Sequence, residues 1–207
     1  MKINTASVAQ YDELIDRYIE SGKTEKPIIA AEIEAAFSVD ATVFVLDLSG
    51  FSRLTAKRGI IFYLAMVRRM QRLSQQLIGD HDGTIVKFEA DNLFAIFDTV
   101  DHALQFAWEL KAGFAGMNIV TEADADIFIS VGIASGKILL IDNRDMWGEA
   151  MNVASKLGED LAKKSEILVH ADSFETVEDQ SQYRVEPRRY DISGISISAV
   201  SVLDIFG

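Results

Sequence analysis

The chain has 207 residues, of which 49% are hydrophobic and 25% are charged, and it has a formal net charge of -12 and no cysteine. Its length suffices for one large domain with a full core, and the lack of cysteine excludes disulfides, thiolate metal sites and a cysteine nucleophile. The negative charge argues against nucleic acid or an anionic membrane as the main partner. Since neither a secretion signal nor a membrane-spanning run is recognisable, we expect a cytoplasmic protein.

The first forty residues predict two helices joined by a polar linker. Apolar residues at helical spacing from Val8 to Ile19 indicate one helix, which Gly22 would end. Pro27 suits the first turn of a second helix that runs through Phe37. We therefore expect residues 1–39 to form an N-terminal helical extension and residues 40–207 to form the main domain. The extension could pack on a partner subunit or cover the core of its own domain, and the pattern leaves both open.

Strands and helices alternate through the rest of the chain. Apolar runs of four to eight residues predict strands, and the 3.6-residue spacing predicts helices. The order is β-α-β-β-α-β, which indicates an α+β fold with a ferredoxin-like core and αβ additions at the C-terminal end. The predicted strands are 42–46, 84–88, 92–97, 127–134, 137–141, 167–170, 182–189 and 195–203, and the predicted helices are 60–78, 100–117, 149–162 and 171–177.

Two aspartates stand where this order brings strands together. Asp47 directly follows a buried strand, and Asp91 lies in the tight turn of the hairpin 84–97. Asp47 alone could cap the next helix, but two adjacent carboxylates repel unless cations neutralise them. Hard oxygen ligands, with phosphate supplying the rest, are typical of Mg²⁺ or Mn²⁺ sites. The backbone N–H groups of Ser49, Gly50 and Phe51 could then hold a triphosphate.

Three segments carry a more specific signal. They read Leu-Asp-Leu-Ser-Gly-Phe-Ser at 46–52, Lys-Phe-Glu-Ala-Asp at 87–91, and Asp-Met-Trp-Gly-Glu-Ala-Met-Asn-Val-Ala-Ser-Lys-Leu at 145–157. In this order they resemble the motifs of the class III nucleotidyl cyclases, the catalytic domains of adenylate and guanylate cyclases. The resemblance covers roughly residues 40 to 203, and Ala90 stands where that family usually has glycine. It implies the ferredoxin-like core described above and a head-to-tail homodimer.

The resemblance assigns the metal and ribose contacts by position. It implies that Asp47 and Asp91, helped by the Leu48 carbonyl, ligate two Mg²⁺ or Mn²⁺ ions. These ions would assist attack of the ribose 3′-hydroxyl on the α-phosphate. Asn152 would hold the ribose so that its 3′-hydroxyl faces the phosphate.

The resemblance also pairs Lys87 with Asp145 as the residues that select the purine. Adenine presents an acceptor at N1 and a donor at N6, which match a lysine donor and an aspartate acceptor. Guanine presents the opposite pattern at N1 and O6, so buried polar groups would be mispaired. The implied substrate is therefore ATP and the implied product is cyclic AMP.

A second position also departs from the family pattern. The arginine that stabilises charge on the α-phosphate is replaced here by Lys156, which keeps the charge and loses the planar, multi-donor fork. An active adenylate cyclase is the favoured interpretation. A weakly active or inactive homologue that binds nucleotide as a regulatory module is the alternative. Another two-metal enzyme on this core, such as a diguanylate cyclase, is disfavoured because its Gly-Gly-(Asp/Glu)-Glu-Phe motif is missing from the sequence.

Overall fold

The computed structural model describes residues 6–49, 56, 58–119, 126–192 and 194–206. Within these residues one mixed sheet has helices on both of its faces. The strands are β1 Ser38–Leu48, β2 Thr84–Glu89, β3 Asn92–Phe97, β4 Ile129–Ile141, β5 Asp145–Trp147, β6 Ile167–His170, β7 Tyr183–Ile192 and β8 Ile195–Ile205. The helices are α1 Val8–Glu20, α2 Lys26–Phe37, α3 Ile60–Leu77, α4 Val100–Asn118, α5 Glu149–Ser155, which continues as a π-helical turn Lys156–Leu161, and α6 Ala171–Phe174.

The sheet confirms the predicted α+β, ferredoxin-like architecture. Its strand order is β2-β3-β1-β4-β6-β8-β7, with β5 added beside β4. The β4–β6 pair is parallel and the other pairs are antiparallel. The first strand therefore lies between the β2–β3 hairpin and β4, which is the arrangement that the split βαβ order predicts.

Alternation along β1 divides the core between the two faces of the sheet. Phe44 and Leu46 point to one side, which we call the first face, where α3 and α4 pack over them. Val43 and Val45 point to the other side, the second face, where they meet α5. Because side chains alternate along a strand, Asp47 belongs to the second face together with Val45.

The structure corrects one part of the predicted order. Residues 127–134 and 137–141 were expected to be two strands, but β4 is continuous and pairs with β1 without interruption from Ser38↔Leu139 to Leu48↔Ile129. The reversal of the chain comes later, where a segment for which no strand was predicted forms β5. Asp142 and Asn143 form the turn before β5, and their φ angles of 50° and 51° are left-handed. Asp and Asn tolerate this conformation and are common in hairpin turns.

Two glycines let α5 lie directly against the sheet. A Cβ atom at Gly132 of β4 would lie 2.1 Å from the Ala154 carbonyl oxygen, and one at Gly158 would lie 2.7 Å from the Val45 carbonyl oxygen. The contact fixes the depth at which the helix bearing Asn152 and Lys156 sits over the second face.

The N-terminal helices pack against the end of β4. Ile29, Ile33 and Phe37 of α2 form a cluster with Leu14 of α1 and Ile141 of β4. The two helices thus cover apolar surface of the chain's own sheet, which was one of the two arrangements left open. Whether residues 1–39 form a separate unit stays a prediction.

Helix α3 buries less of its apolar stripe than the spacing indicates. Ile60 and Leu64 were expected to face inward, but their exposed fractions are 57% and 52%, and Ile61 is 76% exposed. Full burial begins at Met66, so an apolar patch remains on the surface at the start of the helix. Among the described residues, no helix is both long and apolar enough to cross a membrane.

Candidate active site

The two predicted metal-binding aspartates lie at one end of the β1–β3 pair. Leu46 pairs with Leu93 in that register, so Asp47 at the end of β1 lies beside the β2–β3 turn that holds Asp91. Burial raises the pKa of Asp47 to about 7, and the negative charges of Asp91 and Glu159 add to the effect, while a hydrogen bond from the Leu48 N–H opposes it. The pair thus shares a strongly negative, half-buried environment.

This donor set fits a divalent cation. When burial and like charges raise the pKa of a carboxylate, a bound cation stabilises its ionised form in place of the proton. Carboxylate oxygens are also the ligands that Mg²⁺ and Mn²⁺ prefer. Within the described residues, no group of three or more His, Asp or Glu side chains is arranged to hold a metal ion. Asp47 and Asp91 therefore supply a partial donor set, which nucleotide phosphates would complete.

The turn between β2 and β3 contains Ala90, which stands where the cyclase motif usually has glycine. Ala90 has a φ of 51°, in the left-handed region that glycine adopts at no steric cost. An alanine there costs roughly 1 kcal/mol. The turn that presents Asp91 keeps its shape in spite of the missing glycine.

Lys87 and Asp145 meet, although they are 58 positions apart in the sequence. The Lys87 Nζ atom lies 3.0 Å from Asp145 Oδ1. Burial alone would lower the pKa of Lys87, but hydrogen bonds to Asp145 and Glu89 outweigh it and raise the pKa above its ordinary value. Lys87 is therefore charged at neutral pH, and a cationic donor stands beside an anionic acceptor.

A β-bulge aims Lys87 at this position. The β2–β3 register shifts between Ile85 and Lys87, so that Val86 packs into the core of the second face and the Lys87 ammonium also lies on that face, 5.2 Å from the centre of the Phe94 ring. Strict alternation would have sent Lys87 to the side opposite Val86. The bulge is thus the local feature that brings Lys87 to the same face as Asp47 and α5.

Asn152 and Lys156 lie one turn apart along α5 and its π-helical continuation. The Asn152 side chain is exposed. Lys156 is 39% exposed and forms an ion pair with Asp160. The Ala162 N–H donates to the Leu157 carbonyl at 2.8 Å, which is the i→i+5 bond of a π turn, and such turns are frequent at functional sites.

The three residues predicted to hold a triphosphate are only partly described. The Ser49 N–H, expected to be available for phosphate, donates to the Phe128 carbonyl at 2.8 Å, and its hydroxyl lies 3.2 Å from that of Ser130. In this state Ser49 is part of the β1–β4 pairing. Gly50 and Phe51 lie outside the described residues.

Three acidic residues next to the predicted site were missed by sequence reasoning. Glu89 pairs with Lys87 at 3.0 Å, Asp160 pairs with Lys156, and Glu159 accepts a hydrogen bond of 3.2 Å from the Asn92 amide. Glu89 follows Lys87 by two positions in a strand, and Asp160 follows Lys156 by four positions in a helix, and residues at these spacings share a face. These spacings were the signal that could have found them. For Glu159 nothing local gave a signal, because its partner is 67 positions away.

Comparison with known proteins agrees with this geometry. The profile of the family described as "Adenylate and Guanylate cyclase catalytic domain" matches residues 33–197. A protein of Rhizobium meliloti (strain 1021) named "Putative adenylate cyclase 3" is 26% identical over 117 residues, which make up 56% of this chain and 20% of that relative. The matched stretch is thus about a fifth of the length of the curated relative.

Solved structures share the fold. The crystal structure of an adenylate/guanylate cyclase/hydrolase from Silicibacter pomeroyi is similar at a TM-score of 0.71 and 26% identity, covering 80% of this chain and 97% of that one. The adenylyl cyclase CyaB from P. aeruginosa is similar at a TM-score of 0.68 and 18% identity, covering 81% and 96%. The described sheet and helices therefore have the architecture of these structures.

Proposed function

Because the chain belongs to the adenylate and guanylate cyclase catalytic domain family, we propose that it is an adenylate cyclase that converts ATP to 3′,5′-cyclic AMP and pyrophosphate. The observation that favours ATP is the 3.0 Å contact between Lys87 and Asp145. A donor and an acceptor side by side match adenine N1 and N6. Guanine would bring a donor to Lys87 and an acceptor to Asp145, and each mismatch leaves a polar group unpaired.

Each of the remaining residues has a role that its position supports. Asp47 and Asp91, with the Leu48 carbonyl, would hold two Mg²⁺ or Mn²⁺ ions. When bound, the ions would activate the 3′-hydroxyl and stabilise the pyrophosphate leaving group. Asn152 would orient the ribose, and Lys156 would donate to the α-phosphate oxygens as negative charge builds on them.

We further propose that the sites are shared in a homodimer. Members of this family typically dimerise. In the arrangement that the family resemblance implies, one subunit supplies Asp47 and Asp91 while the other supplies Lys87, Asp145, Asn152 and Lys156. The exposure of Asn152 supports this, because a ribose contact made across an interface must lie on the surface of the separate chain.

Base selectivity tests the proposal through Lys87 and Asp145. The unmodified protein should use ATP over GTP by more than about tenfold in kcat/KM, which corresponds to about 1.4 kcal/mol. The double variant Lys87→Glu, Asp145→Cys should erode this preference, because it replaces the cationic donor for N1 with an acceptor and removes the charged acceptor for N6. Initial rates of cyclic AMP and cyclic GMP formation measure it.

A matched control changes an exposed lysine between α1 and α2, Lys23→Glu, which should keep the preference for ATP. Equal use of both nucleotides by the unmodified protein would contradict the assignment of the Lys87–Asp145 pair to the base.

Lys156 tests the phosphate contact. Lys156→Ala should lower kcat by about a hundredfold or more and change KM much less, as for an interaction made mainly in the transition state. Lys156→Arg should retain or raise activity, since its fork can hold two oxygens. Steady-state kinetics with ATP measure both, and Lys163→Ala, an exposed lysine beyond the same helix, serves as the control. Full activity of Lys156→Ala would show that the residue takes no part in turnover.

A nucleotide-binding regulatory module with little activity remains the second candidate. The observation that favours it is the ion pair of Lys156 with Asp160, which neutralises the only cation proposed for the α-phosphate. If the unmodified protein binds ATP without turnover and Lys156→Arg makes it active, this second candidate is favoured.

A further inference from the structure

The base-reading lysine contacts a carboxylate that no role described so far explains. Lys87 Nζ lies 3.0 Å from Asp145 Oδ1 and also 3.0 Å from Glu89 Oε2, and it lies over the Phe94 ring. A lysine ammonium has only three donors. Two of them face carboxylates and a third side of the ammonium is covered by the ring, so a new acceptor must take the place of one of these partners.

The two carboxylates are held with unequal firmness. Asp145 Oδ1 also accepts the Met146 N–H at 2.9 Å, and Asp145 is fixed in β5 by its pairing with Ile141. Glu89 ends β2, has a longer side chain, and is 66% exposed, compared with 38% for Asp145. Releasing Glu89 to water therefore costs less than releasing Asp145, because exposed ion pairs contribute little.

The position of Glu89 resembles that of the base atom that Lys87 must bind. A carboxylate oxygen is an acceptor for the ammonium, as adenine N1 is. Guanine presents a donor at N1, so in the same orientation its N1 cannot accept a hydrogen bond from a freed Lys87. We propose, on the basis of the adenylate cyclase function argued above, that Glu89 occupies the N1 position on Lys87 until a nucleotide binds and that it competes with adenine. Glu89 is thus a specificity-determining residue that weakens binding of adenine nucleotides and narrows their advantage over guanine nucleotides.

Binding of 3′-deoxy-ATP and 3′-deoxy-GTP tests this competition without turnover, since neither has the attacking hydroxyl. In calorimetry with Mn²⁺, Glu89→Gln should tighten the Kd of 3′-deoxy-ATP roughly two- to fivefold, the range expected for release of an exposed ion pair. The Kd of 3′-deoxy-GTP should stay within about twofold. The matched control is Glu186→Gln, which removes a carboxylate paired with Arg188 on β7 and should change neither affinity.

A double-mutant cycle separates competition at Lys87 from general repulsion of the triphosphate. In a Lys87→Met background, Glu89→Gln should no longer tighten 3′-deoxy-ATP binding, because no ammonium remains to be freed. An equal gain in that background, or an equal gain for both nucleotides, would overturn the inference. Weaker 3′-deoxy-ATP binding by Glu89→Gln would also overturn it, since Glu89 would then support Lys87 instead of competing with the base.

The test distinguishes this inference from the function on which it rests. If the unmodified chain binds 3′-deoxy-ATP and Glu89→Gln leaves its Kd unchanged, only the role of Glu89 is contradicted. If the unmodified chain does not bind 3′-deoxy-ATP even at millimolar concentration, the adenylate cyclase assignment fails, and the inference fails with it.

Discussion

Replacing Asp47 with Asn should lower kcat for cyclic AMP formation by about a thousandfold or more, since the variant loses a carboxylate from the proposed metal pair while keeping its shape. The measurement is the initial rate at saturating ATP and Mn²⁺. Asp40→Asn is the matched control, because Asp40 is an exposed aspartate near the other end of the same strand. Near-full activity of Asp47→Asn would contradict the metal assignment.

The same variant should be more stable than the unmodified protein when metal is absent. The folded-state pKa of Asp47 is raised from 3.8 to about 7. Between these two values the unfolded chain releases a proton that the folded chain retains, so the free energy of unfolding falls as pH rises. Asn carries no charge, so the advantage of Asp47→Asn should grow from pH 4 to pH 8, to the order of 1 kcal/mol after allowance for the water that reaches the site. Urea unfolding in EDTA at both pH values measures it. This result would also show that the lost activity does not come from a lost fold.

Mixing two inactive variants should restore activity if the sites are shared between subunits. Asp47→Asn lacks the metal side of the site and Asn152→Ala lacks the ribose side, so each mixed dimer regains one intact site. With free exchange of equal amounts, half of the dimers are mixed and each keeps one of its two sites. Activity should therefore recover to roughly a quarter of that of the unmodified protein.

The recovery needs two controls. Each variant alone must stay inactive at the same total concentration, and subunit exchange must be demonstrated with differently tagged chains. Exchange without any recovery would mean that a complete site lies within one chain.

The sheet order and the closeness of Asp47 to Asp91 could be predicted because both follow from local patterns in a fixed chain order. Asp47 follows an apolar run and Asp91 lies in the turn of the next hairpin, and the β-α-β-β-α-β order places these two points together. Asp145 and Lys87 could be paired only through the family resemblance, since nothing near either residue indicates a partner. The contact between them agrees with that pairing.

The features that escaped prediction depend on tertiary contacts. Nothing in the sequence of β2 indicates a bulge. The bulge nevertheless decides on which face of the sheet Lys87 lies. The close approach of Gly132 to the Ala154 carbonyl has no local signal either, because Ala154 comes 22 positions later in the chain. The continuity of β4 likewise follows from its unbroken pairing with β1, which outweighs the preference of Ser135-Gly136 for a turn.

Product analysis tests the central claim most directly. Purified protein is incubated with Mn²⁺ and each nucleoside triphosphate in turn, and the products are separated and identified by mass. We expect ATP to yield 3′,5′-cyclic AMP and pyrophosphate in equal amounts, with Asp47→Asn giving neither. Release of ADP and inorganic phosphate without cyclic AMP, or cyclic GMP from GTP as readily as cyclic AMP from ATP, would contradict the assignment of this chain as an adenylate cyclase.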